Sequence, residues 1–131
     1  MTLFPFIGGN LTEKEHEFWI FLDLLVAQHP VVIDRPKGSY HPEHPQILYE
    51  VDYGYLEGTS SPDGEDVDVR IGSSGEKTVV GIIATVDLAK HDTEIKLLLG
   101  CNAEEMNIID AFYGKWGMQR GIIIRREDQP C

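Results

Sequence analysis

Basic residues are scarce in this chain. Eleven lysines and arginines stand against 22 aspartates and glutamates, for a net charge of −11 over 131 residues. A surface of that sign repels nucleic acid and anionic lipid, so neither is an expected partner. Cysteine is almost missing: only Cys101 and Cys131 occur, with no CxxC and no zinc spacing, which excludes a disulfide framework. No apolar run approaches the ~20 residues of a membrane span. Met1 to Gly9 lacks a charged leader region and is interrupted by Pro5 and the Gly8-Gly9 pair. The expected location is therefore the cytoplasm. Internal repeats and linker-like stretches are also lacking, so residues 1–131 read as one domain, long enough to bury a core without cross-links.

What is present alternates between short extended runs and two helical patterns. Leu11 to Gln28 has the period of an amphipathic helix, with Thr12 and Glu15 as a capping box and Phe18, Trp19, Leu22, Leu25 and Val26 on its apolar face. Phe18, Trp19 and Phe21 are expected in the core, and Trp116 in the core or an interface. His29-Pro30 ends that helix. Val31 to Asp34 is a strand, and residues 35–45, RPKGSYHPEHP, are a loop. Strands are expected over Gln46–Tyr55, Asp66–Ile71, Lys77–Val86, Glu94–Leu99 and Gly121–Arg126. Asn102 and Glu105 cap a second helix that stops at Gly114. Short strands with a helix near each end point to a mainly β, α+β fold: a small β-barrel with flanking helices.

The segment Tyr49 to Val69, YEVDYGYLEGTSSPDGEDVDV, packs Asp63, Glu65, Asp66 and Asp68 into six residues. Like charges so close repel. A solvated loop tolerates that, but Asp68 falls inside a strand, where aspartate is disfavoured. A carboxylate there asks for a compensating cation. Asp87 and Asp92 form a second acidic pair at the polar end of the longest strand. If the two strand ends are neighbours, the carboxylates converge into an all-oxygen donor set of the kind that suits Mg²⁺ or Mn²⁺ rather than zinc. The spacing is not that of an EF-hand. His41 and His44, separated by Pro42 and alongside Pro45, cannot share a helix face, and a structural or solvent role is expected for them.

These motifs, YxxxYGY followed by DGxxxDV and then VGIIATVDLAKHD, resemble the active-site signature of the soluble inorganic pyrophosphatases of the β-barrel type, from Tyr49 to about Leu99. The resemblance implies a closed five-stranded OB-like barrel. It implies Mg²⁺-dependent hydrolysis of pyrophosphate by a metal-activated water, with Mn²⁺ as a second cation. Asp63, Asp68, Asp87 and Asp92 match the metal ligands. Glu65 stands where the family carries an aspartate that orients or deprotonates the water, and Tyr53 where a tyrosine bonds the site, so Glu65, Tyr53 and Asp63 are the expected catalytic group. VVIDRP is similar to a family strand and puts Asp34 at an acidic position.

The phosphate-gripping half of the pattern is thinner. Leu88 replaces an acidic residue beside Asp87, and Glu94 occupies the place of a family lysine, with Lys96 two residues on. Arg35 and Lys37 stand in the shortened loop where the family has a longer charged hairpin. Tyr113 and Lys115, one residue further apart than in the family, loosely match a Tyr-Lys pair that grips phosphate. The expected substrate contacts are thus Arg35, Lys37, Tyr49, Lys96, Tyr113 and Lys115. The expected partner is a small phosphate-containing substrate, with self-association left open. Two alternatives stay open beside pyrophosphate hydrolysis: another small phosphoanhydride or phosphate ester as substrate, or a non-catalytic metal-binding protein.

Overall fold

A computed structural model describes residues 12–126. The first helix, α1, spans Glu13–Ala27 and is closed by the expected capping box. The Thr12 hydroxyl accepts from the Glu15 N–H at 3.0 Å, and the Glu15 carboxylate accepts from the Thr12 N–H at 2.9 Å. Five short strands follow: β1 (Val31–Arg35), β2 (Asp52–Leu56), β3 (Val67–Ile71), β4 (Val79–Asp87) and β5 (Asp92–Leu99). The second helix, α2 (Ala103–Phe112), carries the same kind of capping box through Asn102 and Glu105 and leads to β6 (Gln119–Arg125).

The strands form one sheet in the order β1-β2-β3-β5-β4-β6. Every neighbouring pair is antiparallel except β3 and β5, which run parallel through Val69–Leu97, Arg70–Leu98 and Ile71–Leu99. The expectation of a closed five-stranded barrel is corrected on two points. Among the described residues there are six strands, and the sheet has two edges. A barrel needs every strand paired on both sides. β1, only five residues long and bulged between Ile33 and Arg35, pairs with β2 alone, and β6 pairs with β4 alone.

Apolar clusters pack on both faces of the sheet, which is why β4 and the end of β5 read as nearly continuous apolar runs. Under α1 lie Leu56, Val69, Val79, Ile82, Leu97 and Leu99, with Trp19 and Val26 from the helix. On the other face, Val51, Ile83 and Leu98 meet Cys101, Ile109 and Tyr113 around α2. The triplet Leu97-Leu98-Leu99 sends alternate side chains to the two layers, and all three are buried. Burial pushes the free Cys101 thiol up to about 12, so it packs as an unreactive apolar group; Cys131 lies outside the described residues.

Three expectations shift. Phe18 and Phe21 are 43% and 70% exposed, not core, because only one side of α1 meets the sheet and Trp19, Leu22 and Val26 occupy it. The strand expected from Gln46 begins at Asp52; before it the chain makes only the Tyr40–Leu48 bridge, yet Tyr49 and Val51 are still buried. The helix begins at Glu13 rather than Leu11, and Leu11 lies outside the described residues. The glycine of YGY has a clear steric reason. A Cβ on Gly54 would come within 1.9 Å of the Val32 carbonyl oxygen, so only glycine lets β1 lie this close to β2.

Candidate functional site

The polar ends of β2, β3, β4 and β5 open into a cleft of about 840 Å³. Strand alternation delivers its side chains: Asp68 and Arg70 share one face of β3, and Asp92, Glu94 and Lys96 share one face of β5. Asp63 and Glu65 come from the loop between β2 and β3. Asp63, Asp68, Asp87, Asp92, Glu65 and Tyr53 all line this cleft, so both acidic pairs of the sequence face one space. Arg35, Tyr49, Lys96 and Tyr113 line it too. Lys37 and Lys115 do not. The Lys37 backbone N–H is bonded to Asp52 at 2.6 Å, and the Lys115 ammonium lies 5.1 Å from the centre of the Trp116 ring. Asp34 stands on the cleft wall, half solvated.

Within the cleft the carboxylates divide by what they already bind. Asp63, Asp92 and Glu94 each offer an oxygen, and these oxygens lie within 4.8 Å of one another. Asp63 is placed by its own loop, accepting from the Ser61 hydroxyl at 2.7 Å and the Glu65 N–H at 2.9 Å. Those two donors, the Ser61 hydroxyl first, hold its carboxyl below the usual aspartate range. Asp87 caps the β4–β5 turn, its Oδ1 accepting from the N–H groups of Ala89 at 2.9 Å and Lys90 at 3.0 Å. The turn closes through His91 at a φ of 58°. Asp68 lies at the floor, where its Oδ2 accepts from Tyr53 Oη at 2.7 Å and Lys96 Nζ at 2.8 Å. The cation that compensates this mid-strand aspartate is therefore an ammonium of the chain itself.

Lys96 also meets Glu94 at 3.5 Å. Burial opposes its charge, but the phenol oxygens of Tyr53 and Tyr113 and the Asp68 carboxylate outweigh that, so its pKa lies above the ordinary lysine value. Burial likewise pushes the Tyr53 phenol up, which keeps its proton on Oη as a donor to Asp68. Arg35 Nη1 donates to Tyr49 Oη at 2.5 Å, and its guanidinium faces the rings of Tyr49 and Tyr53.

Four cleft features escaped the sequence reading. Glu94, at a place where the resemblance implies lysine, completes the close carboxylate trio; its strand parity with Asp92 was the available signal. His41 and His44 meet on the cleft wall with ring centres 4.8 Å apart, because the proline-rich loop folds back at the Tyr40–Leu48 bridge. His41 Nδ1 accepts the Glu43 N–H at 3.0 Å, so the proton of the neutral ring belongs on Nε2. Burial, Arg35 and His44 hold its pKa below the ordinary histidine value. Arg70 lies behind the cleft, buried among aromatic rings.

The lining is strongly acidic: Asp34, Asp63, Glu65, Asp66, Asp68, Asp87, Asp92 and Glu94 face only Arg35, Lys90 and Lys96. Such a cleft repels a bare anion and favours a cation. No helix of the described residues is long and apolar enough to cross a membrane. Among solved structures, the chain is similar to an inorganic pyrophosphatase from Neisseria gonorrhoeae, with 18% identity, a TM-score of 0.49, and coverage of 69% of this chain and 77% of that one. No family model matches the chain, and no curated protein matches it.

Proposed function

We propose that this chain hydrolyses inorganic pyrophosphate with the help of a divalent cation. The observation that carries the reading is the trio of Asp63, Asp92 and Glu94, whose oxygens lie within 4.8 Å of one another in a cleft that also holds Glu65, Asp68 and Asp87. Three anionic oxygen donors fit a hard ion, Mg²⁺ or Mn²⁺, and Asp63, Asp92 and Glu94 would hold it. When bound there, the ion supplies charge neutralisation for a diphosphate and acidifies a coordinated water.

The chain's own groups do the rest. Glu65, on the loop turn that also positions Asp63, takes the proton of the attacking water on a carboxylate oxygen. Lys96 and Arg35 are the cleft cations that face phosphate oxygens. Tyr53 and Lys96 hold Asp68 fixed, which keeps the floor in one arrangement. A second reading, hydrolysis of another small phosphoanhydride or phosphate ester, is favoured by the position of Lys37 and Lys115 outside the cleft.

Phosphate release from pyrophosphate and from a panel of nucleotides, with Mg²⁺ or Mn²⁺ and with chelator, tests this. Release from pyrophosphate that stops on chelation is the expected result. Mg²⁺ should also raise the melting temperature of the wild type and leave that of Asp92→Asn unchanged. Glu65→Gln should lower the rate by about a hundredfold or more, the usual worth of a general base, while keeping the Mg²⁺-induced rise. Release from another anhydride alone selects the second reading. A melting response without release from any compound leaves a metal-binding protein and ends the hydrolase reading.

A further inference from the structure

Arg70 is 0% exposed, and among the described residues no carboxylate forms an ion pair with it. Its Nη1 donates to the Tyr113 hydroxyl at 3.1 Å, its Nη2 reaches the Val51 carbonyl only at 3.5 Å, and its Nε has no partner at all. That Nε is the one buried side-chain polar atom left unsatisfied among the described residues. Phe112, Tyr53, Tyr113 and Tyr49 surround the guanidinium, with ring centres 4.8 to 5.8 Å from Cζ.

Arginine does not lose its proton in a protein, so this charge cannot be relieved by titration. Ring faces and neutral acceptors offset only part of the cost of burying it. All four rings line the cleft. Tyr113 also stands between Arg70 and that space. Its oxygen accepts from Arg70, which leaves its own proton to donate, and no described group accepts it.

We infer that Arg70 is a positioning residue for an anion: its buried, unbalanced charge, relayed through the Tyr113 hydroxyl, makes the cleft floor beside Tyr113 and Lys96 the seat of a phosphate group. The choice of phosphate rests on the function proposed above; the need for an anion rests on Arg70 alone. A bound phosphate supplies the counter-charge that the fold withholds. The arrangement differs from an ordinary buried ion pair because the partner arrives with the ligand.

The test is thermal melting and calorimetric titration of the full chain with inorganic phosphate in the presence of Mg²⁺. Phosphate should raise the wild-type melting temperature. Arg70→Met, which keeps volume and removes the charge, should bind phosphate about tenfold more weakly, the scale of one lost charge-assisted contact. Without phosphate it should melt several degrees above wild type, since an apolar replacement relieves an unpaired buried charge. Arg70→Lys should keep more of the phosphate response than Arg70→Met. If the methionine variant does not fold, Arg70→Lys and Tyr113→Phe carry the test, and both should weaken phosphate binding. A wild type that phosphate does not stabilise overturns the inference. So does a folded Arg70→Met that responds to phosphate as wild type does, because Arg70 is then only packing. Phosphate binding that depends on Arg70 in a protein that releases nothing from pyrophosphate leaves the inference standing and removes the hydrolase reading.

Discussion

The acidic trio and the floor of the cleft both draw on β5 yet treat charge in opposite ways. In the trio, Asp63, Asp92 and Glu94 crowd three carboxylates within 4.8 Å, and Lys96, 3.5 Å from Glu94, compensates them in part. At the floor, Asp68 is held by Lys96 at 2.8 Å and Tyr53 at 2.7 Å, and Arg70 lies beneath with its Nε unpartnered. Two residues along β5 separate a group in want of a cation from a group that is one. The difference teaches what each group is for: the floor is set by contacts formed on folding, and the trio keeps oxygens that the fold compensates only in part.

Substitution at the floor should therefore cost stability, and substitution in the trio should not. The largest effect is expected for Lys96→Met. It strips Asp68 of its ion pair while Asp68, its side chain 25% exposed, stays largely out of water. Breaking a fully buried pair costs about 3–5 kcal/mol, and partial hydration of Asp68 should bring this to roughly 2 kcal/mol. A denaturation midpoint that does not move would erase the distinction between the two groups.

Asp92→Asn should change the metal-free stability by less than about 0.5 kcal/mol, and toward greater stability, because it relieves like-charge repulsion. Denaturation in chelator measures this, and a loss comparable to that of Lys96→Met would show the trio to be structural. The smallest effect belongs to His41 at the cleft wall. Its folded pKa lies below the ordinary 6.5, so as pH falls through that value the unfolded chain takes up a proton that the folded chain refuses. Stability should then decline slightly on acidification until the folded pKa is reached. His41→Gln should flatten that slope in melting curves taken just below pH 6.5.

Local patterns carried much of the fold. The Thr12–Glu15 and Asn102–Glu105 boxes and the alternation of β3 depend on neighbours a few residues apart, and those are visible in a sequence. The parallel pairing of β3 with β5 is not, since it joins residues about thirty positions apart through backbone bonds that leave no mark on side-chain type. The cleft was half legible for the same reason. The two acidic pairs were read as converging at neighbouring strand ends, and Asp63, Asp68, Asp87 and Asp92 do line one cleft, but which carboxylate meets a base depends on Lys96 reaching across from β5 to β3. Arg70 occupies a polar position of the alternation, and polar positions read as solvent-facing. Here α2 covers that face, and the arginine is sealed in. His41 and His44 were passed over because their prolines forbid a helix, although a folded-back loop brings the rings together equally well.

The parallel ladder has a kinetic consequence. Among the described residues the sheet is two antiparallel halves, β1-β2-β3 and β5-β4-β6, joined by the three residue pairs of β3 and β5. The β4–β5 hairpin can form locally on the hairpin timescale, whereas the β4–β6 pairing and the β3–β5 seam must both wait for longer loops to close. Asp63 belongs to the first half; Asp92 and Glu94 belong to the second. Their carboxylates meet only when the seam is shut, so an ion held between them would bind only the closed sheet. It would act as a latch across the seam, opposing the opening of the sheet.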